Sequence, residues 1–309
     1  MTTLTKKIKI SGVGIHSGAP VNMIVSPSKK PGIFFKRTDM VGTDLISARF
    51  DNVGDTLMRN TTIGDKNGAH VKTIEHLMAA LFLLGIDSAI IEIDGAETPI
   101  LDGSAYEFYK AFEKAVGKKT KMKKIIVKKT IIARRNELAA FMPFWKRIKT
   151  VILNHTIWRG GNGYVKLSAN KSGLLIDATL VYDNKVIGTQ SCSCLLDGTK
   201  KSVDNFVKNI SRSRTFGKFT EWDWLKAHGM AHGANEKNVI VLNEQEDGTM
   251  NELYYKDEFV RHKIIDALGD MSLSGGFIYG HLESYKGSHA LNNLVLRKLF
   301  SDESNYEII

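Results

Sequence analysis

In residues 259–271, FVRHKIIDALGDM, apolar side chains recur at helical spacing. At about 100° per residue Val260, Ile264, Ala267, Leu268 and Met271 share one stripe, while His262, Asp266 and Asp270 stack along a second, polar one. The pattern predicts a helix over 258–272. Two readings of its polar stripe stay open on this segment: a face turned to water, or an i, i+4 His/Asp pair offering two ligands to one metal ion.

Residues 73–85, TIEHLMAALFLLG, predict a helix of another kind. From Leu77 to Leu84 it is apolar on every side, which implies burial all round, yet its first turn carries Glu75 and His76. Thr73 is placed to cap its start, with Gly85 just past its end. A further helix is expected from Ser104 to Val116, after the turn residues Asp102 and Gly103. KIKI, VNMIV and AIIEI read as strands of the same half.

The later chain opens with the strand patterns IIVKKTII, TVILNHTI, YVKLSA and LLIDATLVY. It then alternates: helices near 203–210 and 220–228, strand NVIVL, the helix over 258–272, strand FIYGHLE and a helix at 289–300. Both halves mix sheets and helices, so the expected fold class is α+β. Gly117 and the lysine run behind it mark a boundary between an N-terminal domain, 1–120, and a C-terminal domain, 121–309. The length of 309 residues agrees with two domains at roughly 150 residues each.

Composition changes this picture little. MTTLTKKIKISG lacks the apolar core of a secretory signal, and the longest apolar run, HLMAALFLLGI, is short of the ~18 residues of a spanning helix. A cytoplasmic location is therefore expected. Cys192 and Cys194, in SCSC, are expected on opposite faces of a strand as reduced structural thiols, since they fit neither a CxxC motif nor a zinc knuckle. The net charge of +10 admits a nucleic acid, an anionic membrane surface or an anionic small substrate. Its densest run, KKTKMKKIIVKK at 118–129, has no interleaved aromatics and reads as a solvated linker. With no recognition helix or zinc finger either, no nucleic-acid partner is expected.

Candidate chemistry gathers at three places. The helix dipole favours a carboxylate at an N-terminus, which accounts for Glu75 but not for His76. A satisfied core pair, or a neutral imidazole ligating a metal with the carboxylate reaching a bound water, are both open there. In KGSHALNNLVLRKLF, Ser288 is the expected cap and His289 falls in the first turn, where imidazolium is disfavoured unless a carboxylate such as Asp270 lies close. GVGIHSG precedes strand-like APVNMIV, so it reads as a turn between strands and not as a phosphate loop. His228 and His232, in HGMAH, sit among glycines and rank lower as a metal pair.

Taken in order, GVGIHSG, TIEHLMAAL, ETPILDGSA, SRTFG, EFVRHKIIDALGD and HALNN resemble the motifs of the UDP-3-O-acyl-N-acetylglucosamine deacetylase family, the zinc enzymes of lipid A biosynthesis. The resemblance runs almost end to end. It implies two helix-on-sheet domains whose helices meet in the middle, and one catalytic Zn2+ held by His76, His262 and Asp266. It implies Glu75 as general base, Thr215 at the oxyanion, and His289, supported by Asp270, as acid or charge stabiliser. Lys263 and Phe216 would contact a UDP-linked acylated glucosamine, and an insert in the second domain would form an acyl passage. A monomer without a transmembrane segment is expected, and a peripheral membrane contact is left open. Two positions depart from the family pattern: Ser288 stands where glycine usually precedes the histidine, and GMAHGAN adds His232 to a glycine-rich turn. A zinc amidohydrolase for another amide is the alternative reading.

Overall fold

The computed structural model describes residues 1–54, 59–141 and 162–309. TVILNHTI, expected as a strand at 150–157, lies outside the described residues.

The first sheet is built from β1 (Ile8–Val13), β2 (Pro20–Pro27), β3 (Gly32–Arg37), β4 (Ile46–Ser47) and β7 (Ser88–Ile93), in the order β1-β2-β7-β3-β4. β1 and β2 form an antiparallel hairpin closed by the GVGIHSG turn, and β3 runs parallel to β7. β5 (Ile63–Gly64) and β6 (His70–Val71) pair separately. Alternation explains the strands: Val21, Met23 and Val25 of β2 turn into the core while Asn22 stays exposed. The helices here are α1 (Glu75–Leu83) and α2 (Tyr106–Glu113).

Strands of the second sheet all come from residues 124–308. β8 (Lys124–Val127), β9 (Ile131–Arg134), β10 (Tyr164–Ala169), β11 (Leu174–Val181), β12 (Thr189–Leu196), β15 (Phe277–Tyr285) and β16 (Tyr306–Ile308) form it. β15 runs parallel to both β11 and β8, and the other pairings are antiparallel. α3 (Lys200–Asn209) follows β12, and α4 (Trp222–Ala227) lies between the strands of a short parallel pair, β13 (Phe216–Lys218) and β14 (Ile240–Leu242). α5 (Glu258–Ser272) packs on β11 and β12, and α6 (His289–Phe300) on β9 and β10. The mixture of helices and sheets is an α+β fold, and none of the described helices is long and apolar enough to cross a membrane.

α1 packs along α5, and one apolar cluster runs through both sheets' inner faces and the helices between. All nine residues of α1 are buried. Each buried Leu or Met side chain there contributes roughly 1.5–3 kcal/mol, enough in sum to carry the polar first turn inward.

Three local expectations are corrected. IIVKKTII is two strands: Lys128 and Lys129 turn the chain, with Lys128 N–H bonded to Asn305 O, so β8 pairs with β15 while β9 pairs with β10. Thr73 does not cap α1. It holds a left-handed φ of 59° and donates its hydroxyl to Glu97 at 2.8 Å. Cys192 and Cys194 share one face of β12, as residues two apart on a pleated strand do, and both thiols are free. Gly85, with φ 72°, ends α1 as expected.

Candidate metal centre

The polar stripe of α5 does not face water. His262, Asp266 and Asp270 are buried against α1, which brings Glu75 and His76 to the same place. His76 Nε2 lies 3.5 Å, and His262 Nε2 3.3 Å, from Asp266 Oδ1, with the imidazole rings edge to face at 4.9 Å. One ligand atom from each of the three lies within 4.8 Å of the others. Among the described residues no other such group of three could hold a metal. His228 stacks on Trp224 and bonds its own helix, and His232 N–H bonds His16 O.

The helices can come this close because of a glycine. A Cβ added at Gly269 would stand 2.1 Å from Glu75 O, so the α5 backbone rests directly on the first turn of α1.

Protonation states follow from burial and partners. Burial holds the His262 imidazole down at about 3, against the pull of Asp266, so it is neutral. Its Nδ1–H donates to Ser213 O at 3.0 Å, which leaves the Nε2 lone pair toward Asp266 and His76. Burial alone would raise the Asp266 carboxyl. Lys263, at 2.6 Å from Oδ2, and then His262 hold it well below the ordinary carboxylate range. Two neutral-capable imidazoles and an ionised carboxylate, buried together with one side open to other ligands, are a donor set suited to zinc.

Beside this group sits a second constellation. Burial raises the Glu75 carboxyl above its ordinary value. Its Oε2 accepts Thr61 N–H at 3.0 Å, and its Oε1 lies 3.8 Å from His289 Nε2. Burial would lower the His289 pKa, but Asp270, at 2.8 Å from Nδ1, and Glu75 raise it to about 9. Asp270 is itself held by the hydroxyl of Thr61 and by Asn292 Nδ2 at 2.8 Å. At the departing turn Ser288 caps α6 through Leu291 N–H, while Gly287 takes the crowded spot, where a Cβ would meet Ser284 Oγ at 2.0 Å.

Phe216 packs on Phe259 at 5.1 Å and near the His262 ring at 6.3 Å, with the Lys263 ammonium 5.8 Å from its centroid. Thr215 is two residues from the carbonyl that orients His262, and its backbone is fixed by Gly103 O and Ile240 N–H. That segment is tied to α5 by a buried ion pair, Arg214 to Glu258 at 3.0 Å. A cavity lined by Lys263, Asp266, His289, Asn292 and, from the sheet, Thr179 and Ser284 opens beside the group. Thr61, Ser213, Gly269 and Asn292 were not singled out from the sequence; of these only Gly269, a lone glycine inside a strong helical pattern, carries a local signal.

Fold and site together define an α+β protein with a buried two-histidine, one-aspartate group able to hold a divalent metal between two packed helices. Residues 1–301 match the family described as LpxC, UDP-3-O-acyl N-acetylglycosamine deacetylase, and the chain belongs to that family. It is 36% identical over 308 residues to the UDP-3-O-acyl-N-acetylglucosamine deacetylase of Shewanella frigidimarina, covering 99% of this chain and 92% of that one. It is 37% identical over 309 residues to the protein of the same name from a Nitratiruptor species, with the same coverage.

Proposed function

We propose that this chain is a zinc-dependent hydrolase that removes the N-acetyl group from UDP-3-O-acyl-N-acetylglucosamine, releasing acetate, in lipid A biosynthesis. The observation that carries the reading is the meeting of His76 from α1 with His262 and Asp266 from α5, beside Glu75, in a member of this family. His76, His262 and Asp266 would hold one Zn2+, which when bound polarises an amide carbonyl and lowers the pKa of water from about 15.7 to roughly 7.

Glu75 takes the proton of the attacking water; its raised pKa suits a base working near neutral pH. Thr215 donates to the oxyanion. His289 holds a proton on Nε2, with Asp270 orienting the ring through Nδ1, and delivers it to the leaving amine as the C–N bond breaks. Phe216 and the partly exposed Lys263 contact the UDP-linked acylated sugar, the lysine through its anionic diphosphate. A division near residue 120 into two domains, a monomeric state and a cytoplasmic location complete the proposal.

Acetate release from this substrate by the purified protein, measured before chelation, after it and after one equivalent of zinc is restored, tests the reading. Activity that disappears and returns supports substrate class and metal together. No release from folded protein that holds zinc refutes the substrate and turns attention to other amides.

A further inference from the structure

The net excess of positive charge in this protein is confined to one stripe. Residues 1–9 and 114–129 contain eleven lysines and no acidic residue, and outside them 32 basic residues face 33 acidic ones. The whole net charge of +10 therefore belongs to these two segments.

The fold lays them side by side. Thr5 N–H bonds Ala115 O and Gly117 N–H bonds Thr3 O, each at 2.8 Å, and Thr120 N–H bonds the Thr2 hydroxyl. The second segment then continues through β8. Every one of the eleven lysines except Lys124, which lies over the Tyr279 ring, is exposed. Among the described residues the only ion pair any of them makes is Lys128 to Glu307, at 3.5 Å and about half exposed on both sides.

We infer that this stripe seats the protein on the anionic surface of a lipid bilayer. Its chemistry selects that partner. The two segments hold no arginine and no aromatic residue, so they lack both the planar fork that reads phosphates in pairs and the ring platform on which bases stack. Flexible ammonium stems suit a diffuse plane of charge, where each lysine strengthens partitioning about fivefold, the equivalent of roughly 1 kcal/mol. The choice of a bilayer also rests on the function proposed above, because that substrate carries a fatty acyl chain.

Sedimentation of the zinc-loaded full chain with vesicles tests the inference. Lipid about one-third phosphatidylglycerol should bind it at about 0.1 M salt and release it at about 0.5 M, and pure phosphatidylcholine should not bind it. A variant combining Lys118→Gln, Lys119→Gln, Lys121→Gln and Lys123→Gln should bind roughly 600-fold more weakly, at about fivefold for each lysine. Its acetate release from a water-soluble, short-acyl substrate should be unchanged. No binding by the unaltered protein, equal binding by the variant, or tighter binding of a short single-stranded RNA at the same salt would each overturn the stripe's assignment. Vesicle binding and acetate release are read separately: a protein that deacetylates without binding vesicles sinks the docking alone, and one that binds without deacetylating sinks the proposed activity alone.

Discussion

Gly269 and Glu75 touch backbone to backbone: α5 crosses the first turn of α1 where a single added carbon would lie 2.1 Å from the Glu75 carbonyl oxygen. That contact fixes the gap across which His76 faces His262 and Asp266. Gly269→Ala is expected to part the helices and destabilise the protein by about 1–3 kcal/mol, as overpacking does. Zinc affinity should fall with it. Urea unfolding and a zinc titration check this, and an unchanged affinity in the folded variant would show that the gap is set elsewhere.

His262→Ala leaves His76 and Asp266 with two ligand groups where three stood. Tight zinc and acetate release are expected to vanish together, measured as metal content after dialysis and as initial rate. Full activity in the folded variant would remove the metal assignment.

Glu75→Gln keeps the shape and the Thr61 hydrogen bond but cannot accept a proton. Zinc content should stay at one equivalent while kcat falls about 10²–10⁴-fold. Loss of zinc in this variant would mean that Glu75 is a ligand and not the base.

His289 gives a pH dependence to the metal-free protein. Its folded pKa of about 9 lies above the ordinary histidine value of 6.5. The proton is therefore bound more tightly in the folded state, and the resulting stability is fully present below 6.5 and lost as pH rises through 9. The loss is on the order of 3 kcal/mol, from a shift worth about 1.4 kcal/mol per unit. Urea unfolding of the metal-free protein at pH 6 and above 9 measures it. Zinc places positive charge close by and should pull the His289 titration down, which NMR of the imidazole reads directly. A titration unmoved by zinc would place the ion elsewhere.

Burial pushes the Cys194 thiol up to about 12, and raises Cys192, which is half-buried, by a lesser degree. A disulfide reagent at pH 8 should therefore modify Cys192 slowly and Cys194 only after unfolding. Rapid labelling of both would contradict the packing of β12.

The two helices of the site were legible because their patterns are local. Periodicity located α5, and the polar pair Glu75 and His76 stood out against a helix apolar on every other side. The resemblance to the family joined them; nothing within either segment says that they meet. Thr61, Ser213 and Asn292 were not legible, because each acts through hydrogen bonds to residues distant in the chain, and a Thr, Ser or Asn has no spacing that announces such a bond. Thr73 misled for a related reason. A threonine before a helix reads as a cap, but Glu97 takes its hydroxyl, and only the fold puts Glu97 there. The polar stripe of α5 could be read as solvated or as functional until α1 covered it.

Because α1 is buried on every side while part of its cover, α5, is encoded far downstream, the order of synthesis matters. At about 5–20 residues per second, roughly 10–35 s pass on the ribosome between completion of Leu83 and arrival of Glu258. Through that interval the nascent chain carries an apolar helix whose final partner does not yet exist. A ribosome stalled in this window would leave an adhesive fragment that cannot bind the metal, which makes slow translation of the middle of the gene a hazard and early chaperone capture of residues 75–83 an advantage.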